Sequence, residues 1–257
     1  MKKFIQSRKI NATAFMIEKG MTSKLGGKWI NGKECSHILK IDSDEFQFDV
    51  ICKYNLLHGV KPDMFTSPHR FAHHLTSSQV MCYNYFRPLI DSEGVPSEAF
   101  RELLESKKVD LPDESICEFE VENPLDHTSY DMAAGPVRFE IKFTECGFGT
   151  AKSDDKHMQK FDKVYLPMIN ACECLSCKPD QDTFFKHYQL FRNVLHIDDK
   201  SRFAIFIFPK ANKLCQREFL EFYKFINDEY KDNVQVWYWE DLLEGKEDTD
   251  FYKKYLR

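Results

Sequence analysis

Long apolar runs, a secretory leader, internal repeats and linkers are all missing from this sequence, and each absence narrows what it encodes. No stretch approaches the roughly 18 apolar residues that a membrane span requires. The opening Met1-Lys2-Lys3-Phe4-Ile5-Gln6-Ser7-Arg8-Lys9 lacks the apolar stretch of a secretory signal. A cytoplasmic protein with no membrane partner is therefore expected. The 10 glycines and 10 prolines never accumulate into a linker, so the 257 residues read as one large domain, or as a domain with an elaborated arm.

A disulfide framework is missing too. The 9 cysteines are an odd number, and Cys35, Cys52, Cys82, Cys117, Cys146 and Cys215 stand alone, which suits reduced thiols in a reducing compartment. Only Cys172, Cys174 and Cys177 cluster. A tetrahedral zinc site there would need a fourth ligand from Cys146, His157 or His187. The spacing is tighter than that of a paired zinc knuckle and no second cysteine pair follows, so free thiols are expected, with structural Zn²⁺ as the exception.

An overall cationic surplus is also lacking. The net charge of −5 argues weakly against nonspecific nucleic-acid binding, which needs a positive surface. The distribution softens this. Within residues 1–40, Lys2, Lys3, Arg8, Lys9, Lys19, Lys24, Lys28, Lys33 and Lys40 face only Glu18 and Glu34, a balance of +7. The segment is a candidate phosphate-contacting arm, or equally a solvated N-terminus.

What is present is ordinary globular composition, 42% hydrophobic and 14% aromatic. Residues 1–70 show no persistent period. Helices are expected over 76–86, capped by Thr76 or Ser77 and stopped by Pro88, and over 98–104 behind the cap Ser97. The period then changes. Residues 116–121 and 128–132 read as short strands, and 137–143 alternates strictly between apolar and polar. A polar stretch at 154–163, with Lys152 just before it and Lys156, Lys160 and Lys163 within it among acids, reads as a solvated helix face. A helix over 183–195 capped by Asp182, a buried strand over 203–208, an aromatic-faced helix over 218–229 and a strand over 234–238 complete an α/β sandwich around a mixed sheet.

One acidic constellation implies a definite chemistry. Ala133-Ala134-Gly135-Pro136 is a turn signal. With the turn centred between Gly135 and Pro136, Asp131 lies opposite Glu140 on one face, with Lys142 beside them and Ile141 pointing into the core. Pro136 fits a tight primed turn poorly, so a wider loop is expected. Two carboxylates at about 5 Å repel by roughly 3 kcal/mol at an effective dielectric near 20, so a cation is needed. Lys142 supplies one charge. Two converging hard oxygen ligands also suit Mg²⁺ or Mn²⁺, which polarises a phosphoryl group and activates water beside a lysine. An isolated Glu-x-Lys is usually no more than alternating charge on a strand; Asp131 at hairpin spacing is what sharpens it.

The pattern resembles the PD-(D/E)XK nuclease superfamily. The words around it, Ser77-Ser78-Gln79 leading to Asn84-Tyr85-Phe86, Phe139-Glu140-Ile141-Lys142-Phe143-Thr144-Glu145 followed by Gly147-Phe148-Gly149, and Tyr188-Gln189-Leu190-Phe191-Arg192-Asn193, are similar to a bacterial family of restriction endonucleases. The resemblance spans about residues 70–240. It implies a restriction endonuclease-like core at 71–257 with a basic N-terminal elaboration at 1–70 packed on it. It further implies Asp131, Glu140 and the Ile141 carbonyl as ligands for Mg²⁺ or Mn²⁺, Lys142 serving the attacking water, and DNA as the substrate. Tyr130 stands where the superfamily's proline would precede Asp131. Gln79 stands where many relatives carry a glutamate, so either Gln79 acts as a neutral group beside the metal, or Glu118 or Glu120 adds a carboxylate. Gln189 and Arg192 could meet a phosphate or the metal-bound water, Glu145 could be a third carboxylate, and His73-His74 could touch substrate; each has an equally plain reading as surface or structure. A palindromic target would call for a symmetric homodimer. The alternative function is a noncatalytic nucleic-acid or protein-binding module on the same fold, stabilised by zinc through the Cys172 cluster.

Overall fold

The computed structural model describes residues 1–41, 47–57, 69–199 and 202–257. The chain begins with helix α1 (Lys2–Glu18), a hairpin of β1 (Leu25–Lys28) and β2 (Glu34–Leu39), and α2 (Gln47–Tyr54). Next come α3 (Ser78–Phe86), α4 (Glu98–Ser106), β3 (Cys117–Glu122), β4 (Ser129–Ala134) and β5 (Val137–Ile141). Then α5 (Asp155–Lys160) runs through a π-turn into α6 (Leu166–Ala171), followed by α7 (Gln181–Lys186) and α8 (Tyr188–Val194). The chain closes with β6 (Phe203–Phe208), α9 (Lys213–Tyr223), β7 (Val234–Tyr238), α10 (Trp239–Leu242) and α11 (Asp250–Tyr255).

The main sheet runs β3-β4-β5-β6-β7. Strands β3 to β5 form an antiparallel meander, and β5, β6 and β7 are parallel, joined by helical crossovers. Strand β6 is apolar throughout because both of its faces are covered. Phe203, Ile205 and Ile207 join the core under α3 and α4, while Ala204, Phe206 and Phe208 join a second core with Phe184, Phe191, Phe219 and Phe222 from α7, α8 and α9. This is the mixed α/β architecture of a restriction endonuclease-like core, as the sequence implies.

Local chemistry places the elements. The Ser77 and Ser97 hydroxyls cap α3 and α4 by accepting hydrogen bonds from Val80 N at 3.4 Å and Phe100 N at 3.3 Å. Several boundaries differ from expectation. The helix expected over 183–195 is two helices broken at His187, and Asp180 rather than Asp182 caps the first. The helix expected over 218–229 starts five residues earlier, because Asn212 caps it through Cys215 N, and ends at Tyr223. The turn between β4 and β5 is tight, with Ala134 paired to Val137. Gly135 takes the positive φ of 50° that a type II′ turn needs at its first corner, and the second corner accepts the fixed negative φ of Pro136.

Part of the N-terminal segment 1–70, residues 42–46 and 58–68, lies outside the described residues. The rest includes α1, which packs along α11. There Arg8 donates to the Leu256 carbonyl at 2.6 Å, closing the C-terminal end of α11, and Lys19 pairs with Asp250 at 2.8 Å. Among the described residues no helix is long and apolar enough to cross a membrane.

Candidate active site

The β4–β5 ladder pairs Ala134 with Val137, Ala133 with Arg138 and Met132 with Phe139, and then stops. The next opposed positions are Asp131 and Glu140, so the hairpin register expected from the sequence is the one observed, and the strands part where the two carboxylates begin. Instead of a backbone pair, Asp131 Oδ2 accepts the Ile141 N–H at 2.6 Å. Strand β3 makes a matching interruption. Phe119 pairs with Met132 and Val121 with Tyr130, which sets Glu120 across from Asp131 without a recorded pair. Glu120 has φ +53°, a left-handed conformation that a non-glycine residue holds at a cost of roughly 1–2 kcal/mol.

These residues line one open cleft of about 640 Å³, together with Gln79, Glu145 and Gln189. Glu140 is 3% and Lys142 9% exposed, so their charges must be met locally. Glu140 Oε1 accepts from Lys142 Nζ and from Gln189 Nε2, each at 2.6 Å, and Oε2 accepts from Asn193 Nδ2 at 3.0 Å. Burial alone would lower the Lys142 pKa, but Glu140, Asp131 and Glu145 outweigh it and hold it above the ordinary value. Lys142 is therefore an ammonium, and it donates to Glu140. Asp131 is shifted the other way: burial and the Glu140 charge push its pKa well up, against the pull of Lys142 and the Ile141 N–H. Glu120 is raised to about 7, first by burial, with the Glu140 charge adding to it and a hydrogen bond from Gln79 opposing it.

The neighbouring positions sort themselves. Gln79 is buried, accepts from His69 N at 2.8 Å and hydrogen-bonds Glu120, so the neutral amide and the β3 carboxylate are in direct contact. Glu118 is exposed and outside the cleft lining; Glu120 is the β3 carboxylate in the cleft. Glu145 Oε2 accepts from Phe143 N at 2.5 Å at the cleft edge. The following loop is held by Glu218, which accepts from Phe148 N at 2.8 Å; a Cβ on Gly147 would come within 2.3 Å of that carboxylate.

Arg192 does not join the site. Its Nε donates to Thr128 Oγ1 at 2.9 Å and lies 3.6 Å from the buried Asp126 carboxylate, whose other oxygen meets His196 Nε2 at 3.2 Å. Besides Gln189, the residue of α8 that reaches Glu140 is Asn193, one residue on, which the sequence does not reveal because a single buried amide leaves no pattern. The Cys172 and Cys174 thiols are buried and hydrogen-bonded to each other, and Cys177 is exposed. Cys146 lines the cleft, His157 bonds Asp154 at 2.6 Å, and His187 lies 3.7 Å from Glu221. Of the paired histidines, His74 reaches the cleft lining.

Among the described residues no three His, Cys, Asp or Glu side chains form a ready-made metal cage. The donor chemistry of the cleft nonetheless fits a hard divalent cation. Asp131, Glu120, Glu140 and Glu145 line it, with Lys142 as the cation among them and Lys9 also in the lining, and burial first, with the Glu140 charge adding to it, raises the pKa of both Asp131 and Glu120.

Residues 17–257 match the family model described as restriction endonuclease associating with ARP, and the chain belongs to that family. No curated protein and no solved structure matches it. Membership makes it a restriction endonuclease-like protein.

Proposed function

We propose that this protein is a metal-dependent endodeoxyribonuclease of the PD-(D/E)XK type. In this reading residues 71–257 are the nuclease core and 1–70 a basic elaboration packed on it. The observation that carries the reading is the opening of the β4–β5 ladder at Asp131 and Glu140, which turns both carboxylates and Lys142 into one solvent-reachable cleft.

Asp131, Glu140 and the Ile141 carbonyl would hold Mg²⁺ or Mn²⁺, with Glu120 as a further oxygen donor. When bound, the metal supplies Lewis-acid polarisation of the phosphoryl oxygen and a more acidic water. The protein's own work is positional. Gln189 and Asn193 fix the Glu140 carboxylate in one orientation, and the Ile141 N–H fixes Asp131. Lys142, held protonated by its acidic neighbours, orients the attacking water through its N–H groups and offsets negative charge growing on the phosphoryl oxygens. Gln79 restrains Glu120.

Purified protein incubated with supercoiled DNA and Mg²⁺ or Mn²⁺ should nick or linearise it. Lys142→Ala and Asp131→Ala should each lose about 100-fold or more in rate. Metal-dependent cleavage that both variants retain would remove the assignment.

A further inference from the structure

Part of the cleft wall is built from rings. Trp29, at the tip of the β1–β2 hairpin, stacks on Phe71 with centroids 5.8 Å apart and planes 2° from parallel. His74 lies 5.0 Å from Trp29 and 5.1 Å from Phe71, and His69 lies 5.3 Å from Phe71. All four line the cleft that also holds Asp131, Glu140 and Lys142.

Among the described residues, core packing does not account for Trp29 and Phe71. Trp29 is 37% exposed, and neither Trp29 nor Phe71 belongs to any hydrophobic cluster formed by the described residues. Nor does the wall act as a cationic phosphate clamp through its histidines. Burial, aided by His73, His37 and Lys9, pushes the His74 pKa down to about 3, and burial first lowers that of His69, so the imidazoles are neutral rings near pH 7. Positive charge sits over the rings themselves, with Lys9 Nζ 5.7 Å above the Trp29 ring centre and the Arg70 guanidinium 4.5 Å above that of Phe71. Aromatic faces covered by long cationic side chains suit a nucleobase whose own phosphates draw those cations aside as the base takes the ring face.

We propose that the Trp29–Phe71 wall stacks an unpaired base of a DNA strand whose phosphate lies at the carboxylates, so that the preferred substrate is single-stranded or locally opened DNA rather than intact duplex. A base within a duplex offers only its edges to the protein; its face becomes available when it is unpaired or extruded. This proposal rests on the nuclease reading of the cleft, and it adds to that reading which form of DNA enters.

The test uses the full-length protein in Ca²⁺, which occupies hard oxygen sites, with a dye-labelled oligonucleotide as a single strand and as a duplex of the same sequence. A single 2-aminopurine in the strand reports stacking. The single strand should bind about tenfold or more tightly than the duplex, with quenching of the 2-aminopurine on binding. Trp29→Ala should lose about tenfold in single-strand affinity and Trp29→Phe should keep most of it. If Trp29→Ala fails to fold by circular dichroism, Phe71→Leu, which keeps apolar bulk and removes the ring, replaces it with the same expected loss. Equal affinity for the two DNA forms overturns the proposal, as does a folded ring-deleted variant that binds like wild type. Duplex cleavage in Mn²⁺ alongside either result leaves the nuclease reading standing. Single-strand stacking with no cleavage of any DNA in Mn²⁺ sinks the nuclease reading and keeps the stacking wall.

Discussion

Asp126 and Asp131 lie five residues apart, just before and within β4, and their surroundings push them in opposite directions. Burial would raise the Asp126 pKa, but hydrogen bonds from His196 and from the Thr128 hydroxyl and N–H outweigh it and bring the value down to about 2. At Asp131, burial and the Glu140 and Glu120 charges outweigh Lys142 and the single backbone N–H of Ile141, and its pKa goes well up. Asp126 is 1% exposed and outside the cleft lining; Asp131 is half-buried and lines the cleft. A carboxylate surrounded by donors is a fastener between β4 and α8. A carboxylate among other carboxylates, beside solvent, is where the proposed metal would bind.

The contrast can be broken by measurement, and the largest effect is expected at the fastener. Asp126→Ala removes the partner of Arg192 and His196 and should destabilise the fold by about 3–5 kcal/mol in urea titration, as expected for one member of a buried charged set. A loss below about 1 kcal/mol would mean that the network is ornamental.

Acid should act on the same residue with about half that force. The folded pKa of Asp126 lies below its ordinary value of 3.8, so the unfolded chain takes up this proton first as pH falls. The stabilisation is complete above about pH 4 and disappears toward pH 2, a change of roughly 2 kcal/mol. Acid unfolding of wild type beside Asp126→Asn checks it: the variant should show a shallower dependence across that window, and identical slopes would contradict the assignment.

At the cleft, stability and activity should separate. Glu120→Gly removes a carboxylate and relieves a positive φ, so its stability should stay within about 1 kcal/mol of wild type or rise, while metal-dependent cleavage falls. A smaller effect still is expected of Gln189→Ala. It leaves Glu140 with Lys142 and Asn193 and should slow cleavage by roughly tenfold, consistent with loss of one positioning hydrogen bond.

The same comparison explains how much was legible in the sequence. The alternation of 137–143 revealed β5 and its buried face, and the turn signal revealed the register that opposes Asp131 and Glu140, because strand period and hairpin arithmetic are local. Arg192 reads as a substrate contact because a charged residue on a helix carries no mark of its partner, and Asp126, its partner, is 66 residues away. Asn193 and the break at His187 left no periodic trace. Helix α1 escaped because its apolar residues form no single stripe; only Ala12, Phe15 and Met16 are buried. Its tertiary partner α11 lies at the far end of the chain, beyond the reach of pattern reading. Pro136 misled because a proline is compatible with the second corner of a type II′ turn once glycine holds the first.

The most direct test of the cleft as a catalytic centre compares the two aspartates in one assay. Initial rates of Mn²⁺-dependent DNA cleavage are measured for Asp131→Asn and Asp126→Asn, each normalised to its folded fraction. The account predicts that Asp131→Asn loses about 100-fold or more while Asp126→Asn stays within a few-fold of wild type. Equal losses, or a loss confined to Asp126→Asn, would contradict it.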